Sequence, residues 1–132
     1  MKLGYTILYV GDVAKALTHY QEAFGCPTLF LHESGLYGEA ETGDTILSFA
    51  AFEMAGFNKI DMRPSDPADL VSPMNITFVT DDVAASYETA IAHGATSVME
   101  PTEKPWGQVS AYLRDIDGHL VEIATPLHDR HR

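Results

Sequence analysis

The sequence predicts an α+β fold built from two βαβββ modules in a single domain of 132 residues. Three observations lead there: an internal repeat, alternating segments after each helical stretch, and a composition sized for one core. Domains commonly run about 100–150 residues. The 45% hydrophobic, 20% charged and 10% aromatic content is that of a globular chain and excludes disordered and fibrous classes.

The repeat aligns Tyr5 Thr6 Ile7 Leu8 Tyr9 Val10 Gly11 Asp12 Val13 Ala14 with Asn75 Ile76 Thr77 Phe78 Val79 Thr80 Asp81 Asp82 Val83 Ala84, at an offset of 70 residues. Each copy starts with β-branched and aromatic residues, meets an aspartate suited to an N-cap, and continues with helical spacing. Val13, Leu17, Tyr20 and Phe24 mark the first helix, which Gly25 stops; Val83, Tyr87, Ala90 and Ile91 mark the second, which Gly94 stops. A glycine at this place tolerates the left-handed turn that ends helices.

Short alternating segments follow each helix, at residues 28–32, 36–41 and 45–52 in the first half and 97–100, 108–114 and 119–125 in the second. Between the halves, residues 53–73 contain Pro64, Pro67 and Pro73 and read as a connecting loop without a third element, its beginning at most extending a strand. Module one is therefore placed at about residues 1–55, the linker at 56–73, module two at 74–126 and a tail at 127–132. Neither half buries much alone, so the copies should share a core.

Eight Lys and Arg oppose nineteen Asp and Glu, a net charge of −11. Phosphate-backbone attraction is reversed, which argues against nucleic acid and anionic membranes as partners. The acidic field suits a cationic small molecule or metal, but solubility and self-repulsion are the more ordinary reading, and charge alone decides nothing. Cys26 has no cysteine to pair with, which fits a reducing, cytoplasmic setting. No apolar run approaches the roughly 18 residues of a membrane span, and residues 5–10 are too short for a signal peptide.

Several short motifs together resemble one known group. Tyr9 Val10 Gly11 Asp12 Val13, Pro105 Trp106 Gly107, and Arg114 Asp115 Ile116 Asp117 Gly118 His119 before Leu120 Val121 Glu122 Ile123, set on the βαβββ repeat, are similar to the vicinal oxygen chelate superfamily. That group includes glyoxalase I, extradiol dioxygenases, and fosfomycin and bleomycin resistance proteins. The resemblance covers about residues 4–125. It implies curled mixed sheets forming a cup with helices outside, a ligand or divalent metal within, and pairing into homodimers.

Metal-dependent members of the superfamily place four ligands in the cup, from the first and last strands of each module. The resemblance carries these positions onto Tyr5, Ser48, Asn75 and Glu122. Only Glu122 is a usual ligand; phenol, hydroxyl and amide do not make the imidazole and carboxylate set of Zn, Ni or Fe. No metal cofactor is expected there.

Strand alternation separates two faces. Leu47, Phe49, Ile76, Phe78, Val121 and Ile123 read as core; Ser48, Ala50, Asn75, Thr77, Glu122 and Ala124 form a smaller, partly polar face with room for an organic molecule. Tyr5, Ile7, Tyr9, Ser48, Ala50, Asn75, Thr77, Trp106, Tyr112 and Glu122 are thus the candidate ligand-binding residues. Glu122 is the candidate catalytic one, a proton acceptor or partner of a cation, or else a carboxylate paired with a neighbouring strand. Tyr5 and Tyr9 are stacking walls or amphipathic filler, and Trp106 is an aromatic plate at the cup's mouth or a packing or dimer contact. His19, His32, His93 and His119 are scattered without a spaced carboxylate cluster; His128 and His131 sit in the charged tail.

The expectation is a metal-free, bleomycin-resistance-type protein that sequesters a small organic, cationic ligand. The alternatives are a glyoxalase-like lyase, isomerase or dioxygenase using Zn, Ni or Fe at a displaced site, with His32, Glu39 or Glu41 as substitute ligands, and a metal-free enzyme using Glu122 as base.

Overall fold

A computed structural model describes residues 1–127. The chain divides into two compact units, Met1–Ser65 and the part from Asp66 onward. In the first unit the order is β1 (Tyr5–Val10), α1 (Val13–Phe24), β2 (Thr28–Leu31), β3 (Tyr37–Ala40), β4 (Ile46–Ala51) and α2 (Phe52–Phe57). The second has β5 (Asn75–Val79), α3 (Val83–Ala92), β6 (Thr96–Glu103), β7 (Val109–Arg114) and β8 (Leu120–Ala124). Each holds a four-stranded mixed sheet, ordered β1-β4-β3-β2 and β5-β8-β7-β6. First and last strands pair in parallel, and the others are antiparallel. The βαβββ repeat is thus present in both halves.

Local chemistry starts both long helices alike. The Asp12 carboxylate accepts the Lys15 N–H at 3.0 Å, and the Asp82 carboxylate accepts that of Ala85 at 3.1 Å. Each cap satisfies an otherwise orphaned first-turn donor. Gly25, at φ 69°, then ends α1.

One face of each sheet is the core. Val13, Leu17 and Tyr20 of α1 are buried with Leu47 and Phe49 of β4, and the Tyr20 and Phe49 rings lie 4.9 Å apart. Gly38 lets α1 come this close, since a Cβ there would stand 2.7 Å from Leu17 Cδ1. In the second unit Val83, Tyr87 and Ala90 of α3 are buried, as are Leu113, Val121 and Ile123 of the sheet. The Tyr87 hydroxyl donates to Ser97 Oγ at 2.8 Å.

Two elements differ from the sequence expectation. Residues 52–57 form a helix instead of the start of a loop, and Ala55 beneath it is buried. Six residues carry less than two turns of periodicity, too little to stand out from a proline-rich stretch. β6 extends to Glu103 instead of stopping at Glu100, passing through Pro101 with register shifts either side of Met99. It is an edge strand, where the missing proline N–H costs no ladder bond.

The β7–β8 turn is built from buried polar groups. Asp115 Oδ1 accepts the N–H groups of Asp117 and His119, both at 2.9 Å, and its Oδ2 lies 3.1 Å from His119 Nδ1. His119 thus meets a single carboxylate, because a four-residue turn folds it back onto Asp115, and no cluster forms around it among the described residues. Arg114 donates to the carbonyls of Gly118, Asp66 and Asp69, fastening the linker to the turn. Gly118 sits at φ 94°, and a Cβ there would meet the Asp66 and Pro67 backbone at 2.8 Å. Gly118→Ala should destabilise the protein by about 1–3 kcal/mol, from left-handed strain and this contact. Urea denaturation checks it; an unchanged midpoint would refute the role of Gly118.

Candidate functional site

The face of each sheet opposite its helix carries the candidate residues. In β1, Tyr5, Ile7 and Tyr9 alternate with Thr6, Leu8 and Val10. The parallel register places Tyr5 beside Ile46, Ile7 beside Ser48 and Tyr9 beside Ala50. Tyr5 and Ile7 are 55% and 38% exposed, whereas Ser48 and Ala50 are buried. The small-residue positions on the central strand are therefore not open, contrary to expectation. Ala50 lies between Tyr9 on one side and Tyr37 on the other in the register, and Ser48 is bonded by the Tyr37 phenol at 3.0 Å. Larger neighbours close over them, leaving the edge strand accessible.

In the second unit Asn75, Thr77 and Glu122 form a chain. Asn75 Nδ2 donates to Thr77 Oγ1 at 2.9 Å, and Thr77 Oγ1 donates to Glu122 Oε1 at 2.8 Å. Tyr112 lies opposite Glu122 in the β7–β8 register, and the neighbouring carboxylate helps to raise its phenol. Lys104 Nζ stands 5.9 Å from the Tyr112 ring centre, within cation–π range. Ala124 and Ser110 lie on this face one step along and are buried.

Trp106 is placed elsewhere. It is 65% exposed and lines a cleft of about 350 Å³ with Asp81, Gly107, Gln108, Thr125, Pro126 and Leu127. Its indole N–H donates to Gln108 Oε1 at 3.1 Å, while Gln108 Nε2 donates to the Thr125 carbonyl at 3.0 Å. None of Asn75, Thr77, Tyr112 and Glu122 lines this cleft. A packing plug would be buried, so the exposed indole leaves the plate and contact readings of Trp106.

Sequence reasoning assigned Glu39 to the site only as a substitute ligand. The Tyr37 phenol donates to Glu39 Oε2 at 2.7 Å, and Glu39 is opposite Ser48 in the register. Strand alternation could have shown this, because Tyr37 and Glu39 share one face of a four-residue strand.

The four positions implied for a metal are a poor donor set. Ser48 is occupied by Tyr37, Asn75 is directed at Thr77, and Glu122 accepts the Thr77 hydroxyl, so one carboxylate and no imidazole remain. These residues do not fit Zn, Ni or Fe. The substitutes are also engaged: Ser34 bonds His32 Nδ1, Tyr37 bonds Glu39, and the Gly43 N–H bonds Glu41. Among the described residues no three His, Cys, Asp or Glu converge on one point. His128 and His131 lie outside the described residues. Cys26 is buried, and burial pushes its thiol up to about 11, which makes it a poor nucleophile.

Burial raises the Tyr37 and Tyr112 phenols above their usual 10.0. For Tyr112 the charge of Glu122 adds to this; for Tyr37 the Ser48 bond opposes and Glu39 adds. The folded state thus binds these protons more tightly than the unfolded chain. Their stabilisation is complete below pH 10 and is lost as pH climbs through the folded-state values. Glu122→Gln should bring the Tyr112 transition down towards the usual value, followed by NMR of the Tyr112 ring; no movement would sever the Tyr112–Glu122 link.

Comparison with known proteins agrees with this architecture. The sequence profile of the Glyoxalase/Bleomycin resistance protein/Dioxygenase superfamily matches residues 2–123. The uncharacterized protein YraH of Bacillus subtilis is 26% identical over 124 residues, 93% of this chain and 97% of that protein. The crystal structure of a glyoxalase-related enzyme from Fulvimarina pelagi superposes with a TM-score of 0.82 at 20% identity, covering 96% of this chain and 88% of that one. A family enzyme from Burkholderia phytofirmans gives 0.77 at 22% identity, over 96% and 100% of the two chains. Two βαβββ units and a profile match along nearly the whole chain show that the protein belongs to the glyoxalase/bleomycin resistance protein/dioxygenase superfamily.

Proposed function

We propose that the protein binds a small organic molecule bearing a positively charged group, and does so without a metal, in the manner of the bleomycin resistance branch of its superfamily. The observation that carries this reading is the chain Asn75 to Thr77 to Glu122, with Tyr112 opposite Glu122 in the register. The Thr77 hydroxyl fixes the orientation of one carboxylate. A carboxylate offers about four lone-pair directions, so others remain for an ammonium or guanidinium. The net charge of −11 adds a long-range field that concentrates cations and repels nucleic acid.

A homodimer in the cytoplasm belongs to the same proposal, supported by the family habit of pairing and by the unpaired thiol of Cys26. Among the described residues no helix is long and apolar enough to cross a membrane.

Thermal-shift and calorimetric titration with aromatic and alicyclic amines test the proposal. A ligand at about 100 times its Kd should stabilise the fold by about 2.7 kcal/mol. Glu122→Gln removes a charge-assisted pair worth about 1.5–3 kcal/mol, so Kd should rise tenfold or more. No binding by any cation, or stoichiometric transition metal that leaves with Glu122→Gln, would overturn it.

A further inference from the structure

The first unit carries a second hydroxyl–carboxylate chain, on positions equivalent to those of Tyr112 and Glu122. In the β3–β4 register Glu39 faces Ser48; in the β7–β8 register Tyr112 faces Glu122. These are the same cross-strand pair of the repeat, with the acid and the hydroxyl exchanged between strands. A phenol has one proton, and Tyr37 donates it to Glu39 at 2.7 Å. The 3.0 Å contact with Ser48 is therefore a bond that Ser48 donates. Donors run from the buried Ser48 through Tyr37 to Glu39, as they run from Asn75 through Thr77 to Glu122.

Aromatic rings surround the Glu39 end. The Phe30 ring lies 6.5 Å from that of Tyr37 and 6.3 Å from that of His32. Phe30 is 43% exposed. It pairs with Glu39 across the β2–β3 register, so ring and acid are neighbours on one surface. Among the described residues the Tyr37 phenol supplies the only hydrogen bond to the Glu39 carboxylate. An oriented carboxylate beside half-exposed aromatic faces is the combination that recognises organic ammonium ions.

We propose that Glu39, Tyr37 and Phe30 form a second subsite, in the first unit, for an organic ammonium group. The inference rests on the cation-binding reading above and widens it: each unit presents its own carboxylate subsite for an organic ammonium group.

Titration of the isotope-labelled full chain with benzylammonium chloride, read from backbone amide NMR shifts, tests both claims separately. Saturable shifts are expected at Phe30, Tyr37 and Glu39 as well as around Glu122. Glu39→Gln, which can still accept the Tyr37 bond, should weaken the first set by about tenfold or more and leave the second. Shifts around Glu122 alone would overturn the second subsite and leave the proposed function standing. Shifts around Glu39 alone would do the reverse, and no saturable shift at either place would overturn both. Glu39→Gln spectra that superpose on the unmodified protein away from β3 exclude unfolding as the cause.

Discussion

The register of two parallel strand pairs, β1 with β4 and β5 with β8, is the constraint on which the rest of the structure depends. Successive side chains on a strand point to opposite faces, so a slip of one residue exchanges faces completely. With Thr77 opposite Glu122 and Phe78 opposite Ile123, the acid emerges on the face away from α3 and the isoleucine on the buried side. A one-residue slip would place a carboxylate under α3 and Ile123 outside. The desolvation of an unpaired acid and the exposure of core residues act together against that alternative. The same logic holds in the first unit, where Phe49 is fully buried against Tyr20.

Register also explains how two related units keep comparable chemistry with different residues. In a cross-strand pair either strand can carry the acid, because side chains directly opposite lie about 4.5–5.5 Å apart. The first unit puts the acid on β3 and the hydroxyl on β4; the second puts the hydroxyl on β7 and the acid on β8. A comparison of single positions, Ser48 against Glu122, sees a lost carboxylate. A comparison of pairs sees it moved by one strand.

That difference marks what was legible in the sequence. The repeat, the aspartate caps and the alternation of Leu47, Phe49, Val121 and Ile123 rest on periods of two and 3.6 residues, which neighbouring residues reveal by themselves. Elements dominated by tertiary context were harder to read. α2 is too short for its period to register, β6 survives Pro101 only because its outer edge needs no partner, and His119 meets Asp115 through a turn that no spacing rule encodes. Among site residues, Tyr5, Ile7, Asn75, Thr77, Tyr112 and Glu122 stand on the open faces. Ser48 and Ala50 are on the right face yet covered, since burial on a sheet depends on the size of the flanking residues, here Tyr9 and Tyr37. Trp106 lines a different cleft because the β6–β7 turn carries it away from the ladder.

The donors beside the two carboxylates keep their protons throughout the neutral range. Both phenols titrate above 10.0, and the Thr77 and Ser48 hydroxyls do not ionise in water. At neutral pH the donors on Glu39 and Glu122 are therefore constant, and each acid has a fixed direction. A carboxylate oriented in this way would lose little entropy on pairing with a cation.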